Sequence, residues 1–353
     1  MDIAALPAFP DDVPTAPLLK ISMAKLMSGD TEEARRMSLA CEDLGFFYMD
    51  LTDWDSAVLS DIESLYQVGK KLFDLSLTEK KQYDFSGIGS YFGYKHAGAS
   101  PIDDKGNLDR NEFYNVSKDD IYGIGKRWPA PAILDENRNL YRSIMASCND
   151  IVQMVLKTLN KSLGLPDETL QKLHAFGDPS GDQVRIIRAP PQPVDDRRTA
   201  LGAHTDYGSI TVLFNQLGGL QILPPGESSE WCYVKPLPGH AIINMGDAMV
   251  KFSNGLLRSN IHRVFSPPGA QADCTRYSIA YFNRPNDNVL LKRLDGSNRI
   301  PPLADGVAEE PLTSKDWTTK RALGRLFAMA GRKEYEGAEK LGTENISMRL
   351  ATA

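Results

Sequence analysis

The chain contains no run of eighteen apolar residues, so it offers no helix that could span a bilayer. It also lacks any block of a single charge sign. Its 40 basic and 46 acidic residues are interspersed and leave a formal net charge of −6. Without a basic surplus or stripe, retention on nucleic acid by counterion release is not expected. Cysteine is scarce: Cys41, Cys148, Cys232 and Cys274 lie far apart, with no Cys-x-x-Cys pair. That spacing excludes a zinc ribbon and a disulfide framework, and fits reduced thiols. The opening MDIAALPAFPDDVPTAP has neither the basic start nor the apolar stretch of a secretory signal. The expectation is a cytoplasmic protein that meets a small molecule, with no nucleic acid and no membrane among its partners. What is present is ordinary for a folded chain of one or two domains: 353 residues, 42% hydrophobic and 24% charged.

Prolines at 7, 10, 14 and 17 mark residues 1–17 as an extended leader. Helical and strand-like segments then alternate over 18–130. TEEARRMSLACEDLG (31–45) carries a Thr cap candidate, acids in its first turn and a Gly stop. FFYMDL (46–51) reads as a buried strand, and 55–75 as a helix capped by Asp55 or Ser56. Residues 86–125, rich in Gly, Asp and Asn, read as loop with at most short strands. Within 131–182 a scaffold helix is expected over 137–163, because Ile144, Cys148, Ile151, Val155 and Leu159 recur at three- and four-residue steps. Over 183–290 the texture changes to seven short β-rich runs separated by Gly, Pro and Asn, the pattern of an antiparallel sandwich or barrel. Residues 291–353 return to helical composition and end in a polar tail.

Only five histidines occur, and two sit where chemistry is expected. His204 and Asp206 are two apart in an extended segment, so their side chains project to one side and can grip one ion together. His262 follows 58 positions later in the run IHRVF, where the sheet can fold back to supply a third ligand. Two histidines and one carboxylate on one face, with open positions opposite, is the donor set of non-haem Fe(II) oxygenases. Taken alone, His-x-Asp is common and also reads as a turn. Arg276 and Ser278 lie 14 and 16 positions beyond His262 at the start of the next strand, pointing the same way. A guanidinium fork with a hydroxyl is a suitable clamp for a carboxylate. His240, in PGHAIINMGD, reads as structural, and Asn244 and Asp247 as shaping the turn before the third-ligand strand.

HTDYGSITVLF, NMGD, SNGLLRSNIHRV and RYSIAYFNRP resemble the core motifs of the Fe(II)/2-oxoglutarate-dependent dioxygenases of the isopenicillin-N-synthase-like group. PLLKIS, ACEDLGFFYM, LFDLSLTEKKQY and NEFY are similar to that group's amino-terminal region. The resemblance implies a mixed α and β protein: a double-stranded β-helix (jelly roll, cupin-like) core, an N-terminal mixed region and a C-terminal helix. It implies His204, Asp206 and His262 as iron ligands, and Arg276 with Ser278 as the holders of 2-oxoglutarate. It implies Fe(II), 2-oxoglutarate and O2 as cofactor and cosubstrates of an oxygenase acting on a small organic molecule, as in secondary metabolism. Hydroxylation, desaturation or ring rearrangement would each follow hydrogen abstraction from that molecule. Two alternatives stay open at this point: an iron oxidase that dispenses with 2-oxoglutarate, and a sensor that keeps the pocket without turnover. Many relatives carry a tyrosine where this chain has Ala189. By strand alternation Arg185 shares the face of Ala189 and can reach substrate or cosubstrate, whereas Arg188 faces away. Tyr207, Phe282, His96, Phe92 and Tyr114 are further candidates for substrate walls, with Phe113 beside them.

Overall fold

The computed structural model describes residues 6–99, 106–197, 199–226, 229–304, 306, 309 and 311–329. The polar tail expected over 334–353 lies outside them. The first half runs β1 (Lys20–Ser22), α1 (Met23–Met27), α2 (Thr31–Asp43), β2 (Phe46–Asp50), α3 (Ser56–Asp74) and α4 (Leu77–Lys81). It continues with β3 (Gly93–Lys95), β4 (Glu112–Ser117), α5 (Lys118–Tyr122), α6 (Ala132–Asp135), α7 (Arg138–Ser162) and α8 (Thr169–Lys172). The second half holds β5 (Gln183–Ala189), β6 (Leu201–His204), β7 (Ile210–Asn215), β8 (Leu220–Ile222), β9 (Cys232–Tyr233) and β10 (His240–Met245). α9 (Asp247–Phe252), β11 (His262–Val264), β12 (Arg276–Asn283) and α10 (Ser314–Met329) complete it.

Local signals explain most of these elements. The cap of α2 is Asp30, not Thr31: its carboxylate accepts from the Glu32 and Glu33 amides, which a threonine one residue inside the helix does not do. Asp55 caps α3 through the Ala57 amide. On α7 the stripe Ile144, Cys148, Ile151, Val155 and Leu159 is fully buried, each large aliphatic contributing about 1.5–3 kcal/mol by leaving water. Two strands exceed the sequence expectation. β4 lies within 86–125 and pairs along its whole length with β5. β6, LGAH, has no β-branched residue to announce it and is a strand because β11 pairs with it.

The strands form a large sheet, ordered β1-β2-β10-β7-β12-β5-β4-β3, and a small one, ordered β6-β11-β8-β9. One face of the large sheet is apolar. Phe47, Met49, Tyr114, Val116, Val184, Ile186, Val212, Phe214, Ile243, Ile279 and Tyr281 join the core shared with α3 and α7. Helix α3 approaches closely at Gly69, where a Cβ would lie 2.8 Å from Ile186. The other face looks toward the small sheet. Phe46, Tyr48 and Ile242 meet Leu220, Ile222 and Val234 in a second, smaller cluster. Elsewhere that face is polar, in rungs read directly from the register. One rung is Asn244–Thr211–Phe282–Gln183–Ser117, the next Ile242–Leu213–Ala280–Arg185–Asn115, and the next Asn215–Ser278–Ile187–Phe113–Lys95. Arg276 faces Ala189 beyond them. No helix among the described residues is long and apolar enough to cross a membrane.

Candidate metal centre and cosubstrate pocket

His204 ends β6 and pairs with His262 at the start of β11, so the small sheet sets two imidazoles side by side, ring centroids 4.3 Å apart. Asp206 follows in the turn to β7. Its Oδ1 lies 3.9 Å from His204 Nε2 and 3.8 Å from His262 Nε2. Among the described residues these three form a group of candidate metal ligands, with ligand atoms all within 4.8 Å of one another. One ion bonded at about 2.1 Å can bridge two donors up to about 4.2 Å apart, so the ion-facing pairs through Asp206 fit a single metal.

The surroundings fix which atoms face the ion. His204 Nδ1 donates to Gly202 O (2.8 Å) and His262 Nδ1 to Asn260 O (3.1 Å), which leaves both Nε2 lone pairs free. Asp206 Oδ2 accepts from Thr211 Oγ1 (2.6 Å) and Asn244 Nδ2 (2.8 Å), so Oδ1 is the oxygen turned to the histidines. Burial, then the neighbouring His262, pushes His204 down to about 4 and keeps it a neutral ligand at physiological pH. For Asp206 burial acts upward, but the two imidazoles and the Thr211 and Asn244 donors outweigh it and hold the carboxyl below its usual value.

The turn that carries the ligands is clamped from behind. Asp247 and Ala248 at the start of α9 donate their amides to Asp206 O (2.8 Å) and Gly208 O (3.0 Å). A Cβ on Gly246 would sit 2.3 Å from Gly208 O, so the two backbones meet only because residue 246 is glycine. From α10, Trp317 Nε1 donates to Tyr207 O (2.9 Å). Arg321 places its guanidinium 5.2 Å from the Tyr207 ring and pairs with Asp247 at 3.4 Å.

Arg276 and Ser278 lie on the same face of the large sheet, 3% and 1% exposed. Arg276 makes one hydrogen bond among the described residues, Nε to Gly218 O (2.7 Å), and no ion pair. Burial pushes its guanidinium down to about 10, still a cation at neutral pH. Ser278 Oγ and both amide atoms of Asn215, its neighbour in the rung, are buried without a partner among the described residues. A buried cation with orphaned polar atoms beside it is costly unless an anionic ligand satisfies them, and a dicarboxylate fits that need. The Arg276 anchor is held in turn: Gln271 Oε1 accepts from Gly218 N (2.9 Å), and Gln271 Nε2 donates to Pro7 O in the leader (2.9 Å). Beside Ala189 and Arg276 lies a cavity of ≈ 10 Å³, also lined by Ser266. It is about the size of one water.

The other expected residues divide. Arg185 and Phe282 lie on the polar face, and Tyr207 adjoins Asp206. Tyr114 belongs to the opposite face and packs in the helix-side core, because it alternates with Phe113 along β4. Phe92 packs against Tyr91 (4.7 Å) and Trp128 (5.9 Å), and His96 turns its Nδ1 to Ala97 O. His240 contacts Pro238 O and Asp50 at the sheet margin, as a structural residue does. Sequence reading missed Thr211, Gln271 and Arg321, and read Asn244 as a turn former when its amide holds the Asp206 carboxylate.

Comparison with known proteins gives the same answer as the geometry. The family model of the 2OG-Fe(II) oxygenase superfamily matches residues 181–285, and that of the non-haem dioxygenase N-terminal region matches 16–131. A 2-oxoglutarate-dependent dioxygenase of Aspergillus fumigatus is 35% identical over 339 residues, covering 88% of this chain and 86% of the relative. The chain belongs to the 2OG-Fe(II) oxygenase superfamily. Another fungal 2-oxoglutarate-dependent dioxygenase of this superfamily, from Glarea lozoyensis, is 30% identical over 281 residues, covering 79% of this chain and 83% of the relative. A full-length Neurospora crassa protein, crystallised in complex with alpha-KG and thymine, shares the fold at TM-score 0.74 and 21% identity, covering 90% of this chain and all of that one. As an oxygenase of this superfamily the protein uses Fe(II), 2-oxoglutarate and O2.

Proposed function

We propose that His204, Asp206 and His262 hold the Fe(II), and that Arg276 with Ser278 holds the distal carboxylate of 2-oxoglutarate. The observation that carries this reading is the convergence of two Nε2 atoms and Asp206 Oδ1, on the face where Arg276 lacks an anion and Ser278 Oγ lacks a partner. Bound iron and 2-oxoglutarate supply the oxidising chemistry by which O2 is spent on a C–H bond of substrate. The chain supplies neutral imidazoles, a carboxylate oriented by Thr211 and Asn244, and a fork aimed at the cosubstrate. Asp206 and His262 are buried and His204 is half-buried, so most of the reacting centre lies out of bulk water.

The substrate in this reading is a small organic molecule, and the fungal relatives favour a role in secondary metabolism. Arg185, Tyr207 and Phe282 are the side chains placed to meet it. Cytoplasmic residence suits four cysteines that are all free. The test is anaerobic reconstitution with Fe(II), followed by oxygen uptake with and without 2-oxoglutarate. Uptake that requires 2-oxoglutarate and releases succinate in step supports the reading. Uptake indifferent to 2-oxoglutarate contradicts it and returns Arg276 to binding a substrate carboxylate.

A further inference from the structure

Arg185 is held as a ligand-binding group is held, not as a structural cation. Its Nε donates to Asn115 Oδ1 (2.7 Å), and Asn115 is fixed by its own Nδ2 on Tyr91 O (2.5 Å). Its guanidinium lies 4.0 Å from the Phe113 ring centre and 4.8 Å from that of Phe282. Two ring contacts and one hydrogen bond restrict the group and leave its Nη edge for a partner. No carboxylate among the described residues forms an ion pair with it. Neighbouring acids are already engaged: Glu112 by Lys80 and Arg188, Asp109 by Lys95. Burial pushes the Arg185 guanidinium down to about 10, while Tyr207 and Asp206 support its charge and Arg284 opposes it. Arg185 is half-buried, and a guanidinium held between two rings with no anion beside it among the described residues is open to one from the working complex.

Resting on the iron and 2-oxoglutarate reading above, we propose that Arg185 is the substrate-binding cation and that the substrate carries one anionic group, a carboxylate foremost. Two arguments beyond its open edge point there. The first is charge. Divalent iron and Arg276 are cancelled by Asp206 and a dianionic 2-oxoglutarate, whereas Arg185, with the buried Arg284 adding positive charge near it, is left without an anion, which an anionic group on the substrate would supply. The second is position. Ser278 and Asn215 on one rung, and Thr211 on the rung that anchors Asp206, trace the cosubstrate's path along β12 and β7. Arg185 is on β5, across β12 from that path, and faces Ala280, four residues and about 13 Å along the strand from Arg276. It is therefore placed for a second ligand beside the metal. Phe113 and Phe282 flank the site and suit a substrate whose carboxylate sits on an apolar or aromatic body.

The test uses the full-length protein loaded anaerobically with Fe(II) and saturating 2-oxoglutarate, with calorimetry as the readout. The probes are aryl- and alkyl-carboxylates, each paired with its primary amide: benzoate and benzamide, phenylacetate and phenylacetamide, hexanoate and hexanamide. At least one carboxylate should bind about 10- to 100-fold tighter than its amide, the range a desolvated bidentate charge pair supports. Arg185→Gln should erase that preference while leaving 2-oxoglutarate affinity and iron content unchanged, and Arg185→Lys should keep part of it. Equal affinities for acid and amide, or no binding by any carboxylate, overturn the proposal. Loss of 2-oxoglutarate affinity in Arg185→Gln overturns it too, by assigning Arg185 to the cosubstrate. Failure of wild-type protein to bind iron or 2-oxoglutarate would strike the underlying reading instead, and is seen before any probe is added.

Discussion

The large sheet presents two faces built from the same strands, and adjacent residues of β12 show how differently they are used. Ile279 and Tyr281 point to the helices, where Ile279 is enclosed by hydrocarbon and the Tyr281 hydroxyl donates to Asp182 Oδ2 (2.7 Å). Arg276 and Ser278 point to the small sheet, where among the described residues the cation has no anion and the buried hydroxyl no partner. One face is mostly hydrocarbon and supplies stability. The other is incomplete until ligands arrive, and its unsatisfied groups describe those ligands. The lesson is that orphaned polar atoms gathered around a cation that lacks an anion among the described residues mark where a protein expects something from solution.

Substitutions on the two faces should separate activity from stability, and the largest effect is expected at the triad. His262→Ala should reduce 2-oxoglutarate-dependent succinate release to background while the melting temperature stays near that of the metal-free wild type. A variant that keeps full turnover would remove His262 from the metal. Arg276→Lys comes next: without the fork, 2-oxoglutarate affinity measured by anaerobic calorimetry should fall about 10- to 100-fold. An unchanged affinity would place the cosubstrate elsewhere. Moving across the strand, Ile279→Ala should cost about 2–5 kcal/mol in denaturant unfolding, through lost burial and a cavity, with cosubstrate affinity of the folded fraction unchanged. Its neighbour provides the reverse case. Ser278→Ala removes an unsatisfied buried hydroxyl, so the ligand-free protein should be unaltered or up to about 1 kcal/mol more stable, yet bind 2-oxoglutarate several-fold more weakly. Destabilisation by Ser278→Ala without loss of affinity would erase the distinction between the faces.

A pH series sharpens the same comparison. His174, buried between Leu170 O and Ser209 Oγ, is pushed down to about 4, first by burial. The unfolded chain takes up this proton near pH 6.5, whereas the folded protein resists until about pH 4. Stability present above pH 6.5 should therefore be lost as pH falls through that window, by roughly 3 kcal/mol at most for one such histidine. In metal-free protein His204 adds a similar slope. His174→Gln should lessen the slope, whereas Fe(II), by holding His204 neutral in the folded state to still lower pH, should keep the slope and extend it below pH 4. A slope that His174→Gln does not alter would show that other groups govern acid unfolding.

Much of this was legible in the sequence because strand alternation is rigid. Arg276 and Ser278 are two apart in β12, so their shared direction follows from the pleat, whereas His204 ends β6 and Asp206 joins it from the turn beyond. The same rule separated Arg185 from Arg188, which indeed turns to Glu112 and the Phe73 ring on the helix side. It also separates Tyr114 from Phe113 once β4 is known to be a strand. That strand was hidden by the Gly, Asp and Asn around it, and β6 by a sequence without β-branched residues. Both exist because partners pair with them, and pairing is not a local property. For the same reason Gln271, which ties the leader to the Arg276 anchor, and Arg321, which reaches the ligand turn from α10, gave no signal. Each acts through residues distant in sequence.

The central claim is that the polar face is a single site for one Fe(II) and one 2-oxoglutarate. Its most direct measurement is an anaerobic titration of metal-free protein with Fe(II), then with 2-oxoglutarate, counting equivalents bound by wild type and by the His262→Ala and Arg276→Lys variants. The account predicts one iron and one 2-oxoglutarate per wild-type chain, loss of tight iron binding in His262→Ala, and retained iron with weakened 2-oxoglutarate in Arg276→Lys. Iron bound equally well by His262→Ala, or 2-oxoglutarate bound equally well by Arg276→Lys, would contradict it.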